Sequence, residues 1–264
     1  MDLGIAGKTA LVMSSTGGLG FGCAAALAAE GVRVAPLLPA NAGCDVERGR
    51  QAVAKLGGDA LFVPADVSRP EERARLFAEA REHLGTISIL VTNVGGPRAG
   101  TFMSLDSDDW QAAFEQVMLS ALDMVRRCLP DMLEAGYGRV INLSSTSAKE
   151  TTPGYPLASG IKSGLVGALG VLAREVAPGG VTVNSILPGP FDTDGIRRAA
   201  ARNPALAGLS PEEVQRRRGE HSPMKRVGSI EEFGALCAFL CSRQAGYITG
   251  QAVVIDGGQV ATLL

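Results

Sequence analysis

The 264-residue chain carries 25 basic and 27 acidic residues, and this near-balance, with no long basic run, argues against nucleic acid or a membrane surface as a partner. Apolar residues make up 46%, enough for one large core, and 34 glycines call for many tight turns and close helix–sheet packing. Five cysteines without a CxxC pair, and only two histidines, speak against a structural metal or a disulfide framework and fit free thiols in a reducing cytoplasm.

In chain order, residues 8–13 (KTALVM) read as a short buried strand and 18–30 as a helix ended by Gly31. The start MDLGIAGKTALV has no basic segment before an apolar run, so it does not read as a secretion signal. The uncharged stretch from Ala10 to Ala29 is interrupted by SSTGG, a turn composition that does not suit a bilayer span. A strand near 32–37, a helix near 45–56, a strand at 60–64 and a helix at 69–84 follow. Next come a strand at 87–92, a long helix at 107–134, a strand at 138–144, a helix at 158–177 and a strand at 181–187. A polar helical insert spans 193–222, then a helix at 229–242, in which Cys237 and Cys241 are core positions, leads to a last strand at 252–256.

Alternation of near-continuous apolar strands with helices predicts a parallel sheet covered on both faces. Right-handed crossovers make this an α/β, doubly wound, Rossmann-type fold. No linker, repeat or low-complexity segment divides residues 1–264, which read as a single domain.

The first strand runs directly into SSTGGLGFG and a helix. In that context the glycines let a backbone approach a pyrophosphate held on the helix N-terminus; a tight turn needed only for packing is the other reading. The turn MSSTGGLG at 13–20, with Gly18 and Gly20 in place, resembles the glycine motif of the short-chain dehydrogenase/reductase family. ADV at 65–67, NVGG at 93–96, NLSS at 142–145, LPGPFDT at 187–193 and YITGQAVVIDGG at 247–258 extend the resemblance over essentially the whole chain.

The resemblance implies a nicotinamide cofactor on Ser14, Ser15, Thr16, Gly18, Leu19, Gly20, Asp66, Val67, Asn93, Gly95, Lys162, Pro188, Gly189, Phe191 and Thr193. An acid closing the second strand would hold a ribose 2′-OH, but the positions are Leu38 and Pro39. With that acid missing, and Ser14, Ser15 and Asn41 able to hydrogen-bond a phosphate, NADP(H) is expected over NAD(H).

The family's usual catalytic set is Asn, Ser, Tyr and Lys. The resemblance maps the serine to Ser145 and the lysine to Lys162, but the tyrosine position, one helical turn before Lys162, is Ala158 and the asparagine position is Met118. Three outcomes stay open. Tyr155, held out of the helix by Pro156, replaces the acid; the substrate is a conjugated C=C that needs no acid on oxygen; or the protein binds nucleotide without turnover, a regulatory or scaffolding pseudoenzyme.

Arg98 and Lys149, in loops at the carboxyl ends of strands, are candidates to clamp an anionic substrate, with Lys149 and Tyr155 also candidate catalytic groups. The insert at 193–222 is expected to form a lid, with SPEE at 210–213 starting a helix. The resemblance further implies a homodimer or homotetramer built through the helices at 107–134 and 158–177. The expected function is an oxidoreductase moving hydride to or from a carbonyl, alcohol or conjugated enone of a small molecule.

Overall fold

The computed structural model describes residues 1–39, 46–57, 60–193 and 208–261. Its seven strands are β1 (Thr9–Val12), β2 (Arg33–Pro39), β3 (Val63–Ala65), β4 (Ile89–Thr92), β5 (Gly138–Leu143), β6 (Val181–Pro188) and β7 (Ala252–Ile255). They form one sheet in the order β3-β2-β1-β4-β5-β6-β7, every neighbouring pair parallel. The order reverses between β1 and β4, so the crevice beyond their carboxyl ends is the topological switch point where such sheets take ligands.

The helices are α1 (Gly18–Ala29), α2 (Val46–Leu56), α3 (Pro70–Leu84), α4 (Ser107–Ala113), α5 (Ser120–Glu134), α6 (Pro156–Val176), α7 (Pro211–Gly219) and α8 (Ile230–Cys241). One apolar core, with Leu11, Leu90, Met124 and Leu165, fills one side of the sheet. A second, with Val12, Ile141, Leu27 and Phe233, fills the other. Successive residues of β1, Leu11 and Val12, thus point into opposite cores, as the pleat requires.

Glycine governs one helix contact directly. A Cβ on Gly22 of α1 would collide with the carbonyl oxygen of Ile230, and one on Gly234 of α8 with that of Gly22, so the two backbones touch because neither residue has a side chain. Cys23, Cys237 and Cys241 are buried in the same contact.

All seven expected strands are present, with shifted ends. The strand expected at 60–64 is Val63–Ala65, and the helix expected at 158–177 starts two residues earlier, because Pro156 is a good first helical residue. The long helix expected at 107–134 is not uniform: residues Phe114–Leu119 form a π-helical turn between α4 and α5. Asp106 and Asp109 form a capping box at the start of α4, and Ser229 and Glu232 do the same for α8. Of the expected insert, residues 194–207 lie outside the described residues, while α7 begins as its SPEE sequence requires, the Ser210 hydroxyl accepting from the Glu213 N–H at 3.2 Å.

Candidate active site

The turn after β1 is built around Ser14, whose φ of 50° is left-handed backbone at a position the family usually gives to glycine. Asn93, at the end of β4, donates from Nδ2 to the Ser14 carbonyl oxygen at 3.2 Å and ties the two sides of the switch point together. A Cβ on Gly20 would collide with that same oxygen. Gly17, in extended backbone, precedes α1 without a side-chain cap, so the first N–H groups of the helix face outward. The Ser14 hydroxyl is buried without a hydrogen-bond partner among the described residues. An uncapped helix start, a cradle closed to side chains and an orphaned hydroxyl suit a dinucleotide pyrophosphate.

The remaining expected cofactor residues divide by what their side chains do. The Ser15 hydroxyl donates to the Val12 carbonyl oxygen at 2.7 Å inside the core. Asp66 accepts from the Ser68 N–H and hydroxyl at 3.0 and 2.6 Å, and Val67 is buried. Phe191 turns inward against Phe233, ring centroids 5.4 Å apart. Leu19 packs against the core and the Gly95 carbonyl accepts from Gln116 at 3.3 Å. The Gly189 N–H donates to the Ile255 carbonyl at 2.9 Å, fixing the chain beyond Pro188. Thr193, in contrast, lines one pocket with Thr16, Gly17 and Gly18. Asn41 lies outside the described residues, as does the rest of 40–45.

At the catalytic end, Lys162 donates from Nζ to the Ser144 carbonyl oxygen at 3.0 Å. Burial pushes its ammonium down to about 8. The Ser145 hydroxyl accepts from the Ser147 N–H at 3.2 Å, which orients a lone pair inward and leaves its proton to donate elsewhere. Around Lys162 a small cavity is lined by Thr92, Asn93, Asn142 and Ser144, whose hydroxyl has no partner among the described residues. Behind it a polar ladder crosses three strands: Thr92 donates to Asn142 Oδ1 and Asn142 Nδ2 to Ser185 Oγ, both at 3.1 Å.

Position 158 is a methyl group one turn before Lys162, as the sequence requires. The resemblance puts the family's asparagine at Met118; Met118 packs toward Gly164 of α6, while Val117 and Ala121 line the lysine cavity. Both Val117 and Met118 lie in the π-helical turn and both are apolar.

Tyr155 is the N-cap of α6, with non-helical φ and ψ of −129° and 42°, and 47% exposed. Its loop is joined to the loop after β4 by the Gly100 N–H donating to the Gly154 carbonyl at 2.9 Å. The other two tyrosines stand at the opposite end of the sheet. Tyr137 directly precedes β5, donates to the Cys241 carbonyl at 2.9 Å and has its phenol pushed up to about 12 by burial. Tyr247 lies on the segment entering β7. Arg98 is held by Asp109 at 2.6 Å, so an anion would have to compete with that carboxylate. Lys149 follows the 3-10 turn Thr146–Ala148 and is partly exposed.

A family model described as enoyl-(acyl carrier protein) reductase matches residues 13–259, which includes every motif above. The chain belongs to the short-chain dehydrogenase/reductase family. This dehydrogenase/reductase is 32% identical to acetoacetyl-CoA reductase of Allochromatium vinosum, over 95% of its own chain and 98% of the relative. It is 30% identical to a 3-oxoacyl-[acyl-carrier-protein] reductase of Aquifex aeolicus, over 98% and 99% of the two chains. L-sorbose reductase from Gluconobacter frateurii, solved with NADPH and L-sorbose, superposes with a TM-score of 0.91 and 31% identity, covering all of both chains. The relatives named here are all reductases, and nothing in them supports a non-catalytic nucleotide-binding role for this family member.

Sequence reading missed Arg48, which reaches from α2 to the glycine turn and donates from Nε to the Thr16 carbonyl at 3.3 Å. A signal was present, since a cation in the first turn of a helix opposes the dipole and needs another reason to be there. Pro156–Gly179 is also long and apolar enough, by length and composition, to pass for a membrane span. In the fold this segment is the helix beside the sheet that carries Lys162.

Proposed function

We propose that this chain is an NADP(H)-dependent oxidoreductase acting on the carbonyl of a small molecule, with Tyr155 as proton donor in place of the absent tyrosine at 158. Its relatives' cofactor supports the choice of NADP(H), the L-sorbose reductase having been solved with NADPH. When bound, the reduced nicotinamide supplies a hydride to the carbonyl carbon.

The observation that carries the proposal is positional. Of three tyrosines, only Tyr155 lies at the carboxyl ends of the strands. It is the N-cap of α6, on the loop that enters the helix carrying Ala158 and Lys162. In reduction, Ser145 donates a hydrogen bond to the substrate oxygen, the carbon takes the hydride, and the Tyr155 phenol gives its proton to the oxygen. Lys162 holds the nicotinamide ribose and keeps positive charge beside the site. Lys149 lies beyond Ser145 as a second positive charge for a substrate anion.

The described part of the insert, with α7, is read as the base of a lid over this site. One chain forms one domain under this reading, and it assembles as a dimer or tetramer in the cytoplasm. The face used is that of α5 and α6, which exposes Leu133 and Val171, the latter 60% exposed.

The deciding experiment is Tyr155→Phe, assayed with NADPH against a panel of ketones and enones. A positioned general acid is worth roughly 10²–10⁴-fold in rate. Loss of about a hundredfold or more on ketones supports the assignment. Unchanged ketone reduction removes Tyr155 from the mechanism, and activity confined to enones in both proteins points to a reaction that needs no acid on oxygen.

A further inference from the structure

The end of β2 carries Leu38 and Pro39, neither able to pair with a phosphate. The structure brings a cation to that neighbourhood from a different element. Arg48 is the third residue of α2, and its Nε donates to the Thr16 carbonyl oxygen at 3.3 Å. The guanidinium lies over Gly17 so closely that a Cβ there would collide with it. Lys55, near the other end of α2, lines the same pocket as Arg48, Gly18 and Thr193.

We propose that Arg48, laid across the glycine turn from α2, is the residue that reads the 2′-phosphate of NADP(H), with Lys55 adding a second positive charge to the pocket. The proposal rests on the nucleotide reading above. The uncapped N-terminus of α1 takes the pyrophosphate, which leaves the adenosine ribose on the side of the turn that faces α2. A planar guanidinium matches two oxygens of a phosphate dianion, and the main-chain contact at Thr16 holds it in place before ligand arrives. That placement also explains a cation in the first turn of a helix, where the dipole disfavours it. Two carboxylates, Glu47 and Asp192, line the same pocket; the one on α2 itself, Glu47, would favour a free ribose 2′-OH, and its carboxylate accepts from Gln51 Nε2 at 3.3 Å.

The test is titration of purified wild type, Arg48→Gln and Arg48→Lys with NADPH and NADH, followed by nucleotide fluorescence, with 2′,5′-ADP and 5′-AMP as competitors. Arg48→Gln is expected to weaken NADPH and 2′,5′-ADP by about 10- to 100-fold, the scale of a charge-assisted hydrogen bond, and to leave NADH and 5′-AMP within about twofold. Arg48→Lys, which keeps the charge without the fork, falls between. Equal weakening of both nucleotides assigns Arg48 to the turn or pyrophosphate and overturns the proposal, as does no change in either. Tighter wild-type binding of NADH than of NADPH overturns it too, in favour of Glu47. Should Arg48→Gln fail to fold, selective loss of NADPH in Arg48→Lys supports the proposal and an unselective result overturns it. If the wild type binds neither nucleotide, the nucleotide reading itself fails, a result separate from all of these.

Discussion

Lys162 and Ser144 are joined by one bond, the lysine ammonium donating to the serine's main-chain carbonyl at 3.0 Å. The carbonyl belongs to the residue before Ser145, so the lysine of α6 and the hydroxyl of the β5 loop are fixed relative to each other without any help from position 158. Two of the family's four side chains, the tyrosine and the asparagine, are missing, while the serine loop and the lysine helix stay joined. Replacing Lys162 by Ala is expected to weaken NADPH binding by roughly 1–3 kcal/mol, the usual effect of losing a charged hydrogen bond. Fluorescence titration checks this, and an unchanged Kd would place Lys162 outside the cofactor site.

The pH dependence follows from the same residue. Burial lowers the folded-state pKa of Lys162 from 10.5 to about 8, so the charged form is disfavoured by folding. Its effect on stability is a penalty present in full below about pH 8, relieved as pH rises toward the unfolded value of 10.5. NADPH affinity should move the other way, falling as pH rises through about 8 and Lys162 loses its charge. Titrations between pH 7 and 9.5, compared with Lys162→Met, test both signs; the variant should lose both slopes.

Ala158→Tyr restores a phenol one helical turn before Lys162. If Ser145 and Lys162 hold the family's geometry, ketone reduction should rise by tenfold or more, within the range a general acid supplies. A folded variant that binds NADPH and shows no gain would mean that the substrate oxygen sits elsewhere.

Gly234→Ala tests the backbone contact under the cofactor turn. The added methyl meets the carbonyl of Gly22, and overpacking of this kind costs typically 1–3 kcal/mol. Thermal melting should show the loss, and NADPH affinity should fall with it because Gly22 lies in the first turns of α1, whose N-terminus faces the pyrophosphate. A wild-type Tm would show that the two helices separate at no cost.

Arg98 gives a substrate test. Asp109 holds its guanidinium, so Asp109→Asn should lower KM for a keto acid, while Arg98→Gln should raise it; KM for a neutral ketone should not move in either case. Identical responses to both substrates would remove Arg98 from substrate recognition.

Period and punctuation in the sequence were enough for the sheet and its covering helices, because each strand is a short apolar run and several helices carry a start signal, such as Pro156 or the Ser229–Glu232 pair. The absence of a tyrosine at 158 was equally legible, since four residues always make about one turn of helix. Tertiary structure alone decided the rest. A side chain's direction depends on what packs beside it, so the sequence could not say that the Ser15 hydroxyl and the Phe191 ring turn inward, or that Arg98 is already held by Asp109. Which of the neighbours Val117 and Met118 faces the lysine cavity is likewise set by packing: Val117 lines it and Met118 lies toward Gly164. Arg48 reaches the glycine turn across 32 residues of chain, a contact that exists only because β1 and β2 are neighbours in the sheet and α2 follows β2 back to the same edge.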